Sequence, residues 1–355
     1  MKARIIIGAN YGDEGKGTVV ATYTSKSTNV LNVLTNGGAQ RGHSILTKDG
    51  NITFQHFGSG TYHGADSYYS RFYILNPMQF VMEYDSLIVK PQHIYRDKLC
   101  RWSTPYDSMA NLISEELQDR QCSCGMGIWN TIKRYNSCPT TSFDEFIAMD
   151  DSNKIKYLYS IRTYYENSLP IPDNWKSTWS SPNIATHFIN DCYFMFNLTT
   201  VKDLKTLSYN EIIFENGQGL LLCDTGKDTY DTTPSNTGIK YSLELLKDLE
   251  VSDITAHYVT RPYLTRHGDG YLDQEINRKY ISSSVNEDRT NQYNKNQGEF
   301  RFGLLDVSSL HNRIAADAKS IKYELEVTHC DEMDRITEFK QVFGKVNTYD
   351  TPLIL

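Results

Sequence analysis

The first chemistry in the chain is an acidic pair inside a glycine-rich turn. In IIIGANYGDEGKGTVV, residues 5–20, Asp13 and Glu14 stand between Gly12 and Gly15, and Lys16, Gly17 and Thr18 follow. A β-branched run that enters a glycine turn and then a helix presents backbone N–H groups and a helix N-terminus to an anion. A lysine there adds a point charge for phosphate. The ordinary phosphate loop, G-x-x-x-x-G-K-[ST], is not spelled. Asn10 stands where its first glycine belongs, and Gly17 follows Lys16 in place of a hydroxyl residue. The motif therefore raises the question of what two carboxylates do where a phosphate would sit.

A second glycine-rich stretch, TNGGAQRGHSI (35–45), ends in Gly42 and His43. Glycines let backbone approach a ligand, and a histidine can donate to a phosphoryl oxygen. A lone loop histidine is ordinary. One that follows a second strand-and-turn unit makes a two-loop nucleotide site worth testing.

These turns need a rigid frame. ARIIIGA reads as a short buried strand and NVLNVLTNGG as a second one ending in a turn. NITFQHFGSGTY and YYSRFYILNP read as strand-and-turn units. Residues 107–120 carry a helical pattern. From about 105 to 210 a mainly helical excursion is expected, and core-type strands return in EIIFENGQG, ITAHYVTRPY and KYELEVTHCD. Strands separated by helices predict an α/β fold: a single large domain, residues 1–355, with a central, mostly parallel sheet flanked by helices.

Composition narrows the classes. A net charge of -7 argues against a nucleic-acid binder. The seven cysteines have no C-x-x-C spacing, so free thiols are expected in preference to a zinc or redox motif. The N-terminus has an apolar run of only three residues, and no window approaches eighteen, so a soluble cytoplasmic protein without membrane contact is expected.

Taken together, GDEGKG and GGAQRGH resemble the adenylosuccinate synthetase family of purine-nucleotide ligases. Further stretches match in the family's order. CSCGMGI (122–128) is similar to its Thr-Thr-Gly-x-Gly-Ile turn, and IIFENGQGLLLCD (212–224) to its strand ending in Glu-Gly-Ala-Gln-Gly. YDTTPSNTG (230–238) is similar to its Val-Thr-Ser-Ser-Asn loop. VTHCDEMD (327–334) sits where the family has Thr-Lys-Leu-Asp-Val-Leu-Asp. The short length resembles the compact archaeal and phage-encoded members.

The resemblance implies a P-loop-NTPase-like fold and a two-step reaction. A base removes the N1 proton of a 6-oxopurine nucleotide, O6 attacks the γ-phosphate of GTP, and the amine of L-aspartate then displaces the phosphoryl group. It places Asp13 as the base, His43 as the general acid, and Asp13 with the carbonyl of Gly42 on Mg2+. Gly12, Gly15, Lys16, Gly17 and Thr18 become the phosphate cradle. Gln40, Ser123, Cys124, Gln218, Leu222 and Thr233 fall on purine-nucleotide positions, and Asp331 on the donor base, where an acceptor-only carboxylate suits guanine. Gln40 replaces an Asn, Ser123 and Cys124 replace two Thr, and His329 replaces a Lys. The family's arginine-rich amino-acid loop is reduced to NQGEFRFGLLD (296–306), leaving Arg301, with Arg266 in YLTRHGDG as a helper. An Arg can clamp a carboxylate bidentately.

IMP, GTP and aspartate are the implied substrates. The phage-type variant, acting on dGMP or GMP with GTP or ATP, is the neighbouring reading. Asp13 favours IMP, because some phage members carry Ser there. A nucleotide-binding regulator without ligase activity is the reading of another class, and the joint presence of Asp13, Lys16 and His43 argues against it. Family members are homodimers that lend an arginine across the interface, and Arg134 lies near the expected position.

Overall fold

The run Ala3–Ile7 lies within the strand Lys2–Gly8, inside a nine-stranded sheet whose pairings are all parallel. The computed structural model describes all residues except 48–49, 120–122, 225–231, 282–297 and 351–355. The strand order across the sheet is Val346–Thr348, Tyr323–Val327, Asp253–Thr260, Lys2–Gly8, Glu211–Gly219, Val30–Leu34, Asp66–Tyr69, Ile94–Arg96, Thr200–Val201. A parallel sheet is covered on both faces, which is why its inner strands are apolar throughout rather than alternating. Ile5, Ile6 and Ile7 are all fully buried. The expected α/β architecture is therefore present, and the sheet is wholly parallel.

The helices between residues 105 and 198 begin with Pro105–Gln118, two residues earlier than the pattern predicts. Thr104 and Asp107 form a capping box, and Pro105 takes the first helical position, where no N–H is needed. Ile128–Ser137, Phe143–Ala148, Asp151–Glu166, Asp173–Trp179 and Pro182–Leu198 follow. They bury an aromatic core in which Trp102 stacks on Phe188 with centroids 6.1 Å apart.

Two elements differ from the sequence reading. His43 is not in a loop; it opens the strand His43–Thr47, which pairs antiparallel with Gly50–Phe54. A small antiparallel sheet is added by three strands in the order Leu264–His267, Phe300–Gly303, Glu275–Ile276. The six described cysteines are free, and Cys122 lies outside the described residues. Among the described residues no helix is long and apolar enough to cross a membrane.

Candidate functional site

The motif residues gather where the parallel strands end. Strands stop at Gly8, Leu34, Gly219, Thr260 and Val327, and the loops after them carry residues 9–15, 35–42, 220–224, 261–263 and 328–334. Ligand sites of open α/β sheets form beyond the carboxyl ends of their strands.

The turn after Gly8 is built to expose N–H groups. Gly15 caps the helix Lys16–Ser25 in the left-handed region, at φ 85°, and no side chain caps that N-terminus. Four carbonyls of the turn are held by side chains. Arg313 Nε donates to Ala9 O at 2.8 Å, Lys16 Nζ to Gly12 O at 2.6 Å, Arg261 Nε to Asp13 O at 2.8 Å and Thr328 Oγ1 to Glu14 O at 2.7 Å. In a trans peptide the C=O and the next N–H point in opposite directions. Fixing these carbonyls therefore turns the N–H groups of Asp13, Glu14 and Gly15 to the other side, while that of Asn10 goes to Glu14.

Glu14 explains half of the acidic pair. It is buried, and its Oε1 accepts from Asn10 N at 3.0 Å and Gly12 N at 2.8 Å. Its Oε2 has no hydrogen-bond partner and lies 3.6 Å from Lys16 Nζ. Burial raises its pKa, and Lys16 opposes that rise. Glu14 thus serves as an internal acceptor that shapes the turn. Asp13 beside it is only partly buried, and its carboxylate is the one left for chemistry.

His43 reaches the same place from the strand that follows the second glycine turn. A side chain on Gly17 would meet Ser44 O at 2.6 Å, so the start of the helix packs directly on the segment that carries His43. His43 is buried, and its Nδ1 lies 2.5 Å from Glu215 Oε1. Ser59 donates to Glu215 through its N–H at 3.0 Å and its hydroxyl at 2.7 Å. Burial opposes ionisation of Glu215, but the hydrogen bond and charge of His43, with Arg41 and Ser59, outweigh it and hold its pKa low. An ionised carboxylate only accepts, so the proton sits on His43 Nδ1 and leaves Nε2 as the working nitrogen. Burial lowers the pKa of His43, against the pull of Glu215. Sequence reasoning missed Glu215. The one signal was a carboxylate directly after the apolar run Ile212–Phe214, inside the strand Glu211–Gly219.

The purine-nucleotide candidates also converge. Both amide atoms of Gln40 are buried without a hydrogen-bond partner, a cost normally met by a ligand. Ile128, at the end of the CSCGMGI turn, fills the space beside Gly38, where an added side chain would meet its Cδ1 at 2.6 Å. Ser123 Oγ exchanges hydrogen bonds with Asn111 and accepts from Gly125 N at 3.2 Å. Burial pushes the Cys124 thiol up to about 11. Trp129 Nε1 donates to Thr232 O at 3.4 Å, and Thr233 N donates to Leu222 O at 2.8 Å. Asn36 ties Gly217 to Ser235, with Nδ2 3.0 Å from Ser235 Oγ and Oδ1 2.9 Å from Gly217 N. Gln218 has φ 64°, a left-handed conformation that costs a non-glycine residue on the order of 1 kcal/mol. Residues 230–231 of the YDTTPSNTG stretch lie outside the described residues.

Asp331 is exposed, in the turn that Thr328 fastens to Glu14. Arg266 and Arg301, distant in sequence, are cross-strand neighbours in the small sheet. Arg266 lies over the Tyr11 ring, 5.0 Å from its centroid, which brings that sheet against the phosphate turn. Arg301 is engaged by Glu275, at 2.9 and 2.5 Å, and by the carbonyls of Gly268 and Gly270. A substrate carboxylate would have to take it from Glu275. Asn296 and Gln297 of that stretch lie outside the described residues. Arg134 does not face outward. It is buried in a bidentate pair with Asp107, at 2.8 and 2.9 Å, because a buried carboxylate at the N-terminus of a neighbouring helix needs a charged partner.

Asp13 and the carbonyl of Gly42 offer oxygen ligands, the chemistry a hard divalent cation takes. Gly42 is exposed, and a side chain added there would meet only Thr53 Cγ2, at 3.9 Å. A different group, His257, Glu324 and Glu326, has metal-like spacing. It is already filled by hydrogen bonds: Glu326 accepts from Tyr23, Tyr349 and Asn347, and Arg4 lies 3.1 Å from His257 Nε2.

Comparison with known proteins agrees with this geometry. A family model described as adenylosuccinate synthetase matches residues 5–344. The adenylosuccinate synthetase of Thermodesulfovibrio yellowstonii is 26% identical over 97% of this chain and 81% of its own length. That of Buchnera aphidicola is 23% identical over 77% of this chain, and the match spans 65% of the relative. Among solved structures, the fully ligated adenylosuccinate synthetase of Plasmodium falciparum superposes with TM-score 0.70 at 20% identity, covering 93% of this chain and 77% of that one. The cyanophage S-2L succinoaminodeoxyadenylate synthetase, bound to dGMP and to dATP as energy donor, superposes with TM-score 0.64 at 12% identity, covering 99% and 91%. With the loop order, the parallel sheet and the family model in agreement over nearly the whole length, the chain belongs to the adenylosuccinate synthetase family.

Proposed function

We propose that the protein is a ligase that joins L-aspartate to C6 of IMP at the expense of GTP. The observation that carries this reading is the meeting of Asp13, the uncapped helix N-terminus at Lys16 and the His43–Glu215 pair at one edge of the sheet. Asp13 takes the N1 proton, O6 forms a bond to the γ-phosphorus, and the bridging P–O bond to the β-phosphate breaks. Burial keeps His43 Nε2 unprotonated before the nucleotide binds; the phosphate charge arriving beside it, with Glu215 across the ring, lets Nε2 take up a proton and donate it to a phosphoryl oxygen. The aspartate amine then attacks C6, and inorganic phosphate leaves. The turn's N–H groups and Lys16 hold the donor phosphates. Gln40, Ser123, Cys124, Gln218, Leu222 and Thr233 orient the purine nucleotide, and Asp331 selects the donor base. Arg266 and Arg301 receive the amino acid's carboxylates. Mg2+ held by Asp13 and Gly42 would supply charge neutralisation at the phosphates.

The same reading makes the chain a compact, single-domain, cytoplasmic homodimer. A second reading, dGMP in place of IMP with an ATP-type donor, is favoured by the near-complete mutual coverage with the cyanophage protein. Incubating the protein with IMP or dGMP, GTP or ATP, Mg2+ and aspartate, and weighing the products, separates the two. The expected product is succinylated IMP. Product from dGMP alone would establish the second reading, and nucleotide binding without any product would leave a regulator.

A further inference from the structure

Arg261 belongs to no motif, yet it joins three parts of the site. It is buried at 2% exposure. Its Nε donates to Asp13 O at 2.8 Å and its NH1 to the Tyr263 hydroxyl at 3.1 Å. The Tyr263 hydroxyl donates in turn to Glu332 Oε2. Tyr263 and Glu332 are themselves buried, at 1% and 4%. The guanidinium also lies 5.7 Å from the Phe300 ring centroid, on the strand that carries Arg301. One cation therefore touches the peptide of the candidate base, and through a tyrosine it reaches a carboxylate in the same turn as Asp331.

We propose that Arg261, Tyr263 and Glu332 form a relay of positioning residues that sets Asp13 from the turn holding the donor base. The inference rests on the ligase reading of this site. Arg261 fixes the direction of the Asp13 carbonyl, and so of the Glu14 N–H on the other side of that peptide. Glu332 fixes Arg261 by anchoring the hydroxyl it donates to. A shift of the 328–334 turn when the donor base binds is passed to Asp13 along these hydrogen bonds, with no contact between the relay and the substrate. A shift of about 1 Å in a reacting group is enough to cost a large part of the rate.

The test uses R261K, Y263F, E332Q and the double variant Y263F/E332Q in the full chain. Turnover, thermal unfolding and affinity for a fluorescent GTP analogue are measured on each. Members of a series relay are not additive, whereas independent structural contacts multiply. R261K and Y263F should lower kcat about 10-fold, with KM for the purine nucleotide within about 2-fold. The double variant should be no slower than Y263F alone. A kcat near wild type in R261K, or a multiplied loss in the double variant, overturns the relay. If the wild-type protein turns over no substrate pair, the ligase reading has failed and the binding arm decides. Y263F and E332Q should then each weaken the GTP analogue about 3-fold or more, and together no further. Unchanged affinity overturns the relay in that case too.

Discussion

At the scale of single residues, the two members of the acidic pair have separate jobs. Glu14 completes the turn from inside, and Asp13 is the partly exposed carboxylate beside it. Asp13→Ala and His43→Ala should each abolish product formation while leaving the fold intact, with His43→Ala melting at a lower temperature because Glu215 loses its buried partner, and near-normal turnover in either would refute its role. Glu215→Gln keeps the size of the side chain but removes the charge that balances a protonated His43. It should cost about 100-fold in kcat, the usual worth of a positioned acid–base group, with little change in KM. Asp13, Lys16 and His43 were legible because glycine turns advertise them. Glu215 and Arg261 were not, since each sits inside or directly after a buried strand where only three-dimensional contact reveals its partner.

At the scale of elements, the apolar runs announced the inner strands, and side-chain caps set where two of the helices begin. Thr104-x-x-Asp107 and Ser142-x-x-Glu145 are both capping boxes in the structure. Edge strands of two or three residues, such as Thr200–Val201, carry no pattern of their own and are made by pairing alone. The hairpin of His43–Thr47 with Gly50–Phe54 is further braced by the helix Pro77–Ser86. Glu83 on that helix accepts backbone N–H groups from Gln55, His56 and Phe57, at 3.1, 2.5 and 3.1 Å. Burial nevertheless pushes its pKa up to about 7 from 4.5. A raised carboxylate pKa means the native state holds the proton more tightly than the unfolded chain does. Its contribution is therefore complete below about pH 4.5 and is lost as pH rises through about 7. A shift of that size is worth about 3 kcal/mol. Wild-type melting temperature should fall more steeply between pH 5 and 8 than that of Glu83→Gln, and parallel pH profiles would contradict this assignment.

At the scale of the whole molecule, one parallel sheet brings five loops to a common edge. Motifs more than three hundred residues apart thereby become neighbours, as Thr328 and Glu14 are. The order of motifs made this arrangement legible, because a parallel α/β sheet delivers every strand end to the same side. The arginines were less legible. Arg134 is structural, and Arg301 is shared with Glu275, since sequence position says nothing about which carboxylate an arginine meets first. The central claim is that O6 of the purine is phosphorylated before the amine enters. IMP labelled with 18O at the 6-position, incubated with GTP, Mg2+ and aspartate, tests it in one mass spectrum. The account requires the label in the inorganic phosphate released with the succinylated product. Product formed with unlabelled phosphate would contradict it.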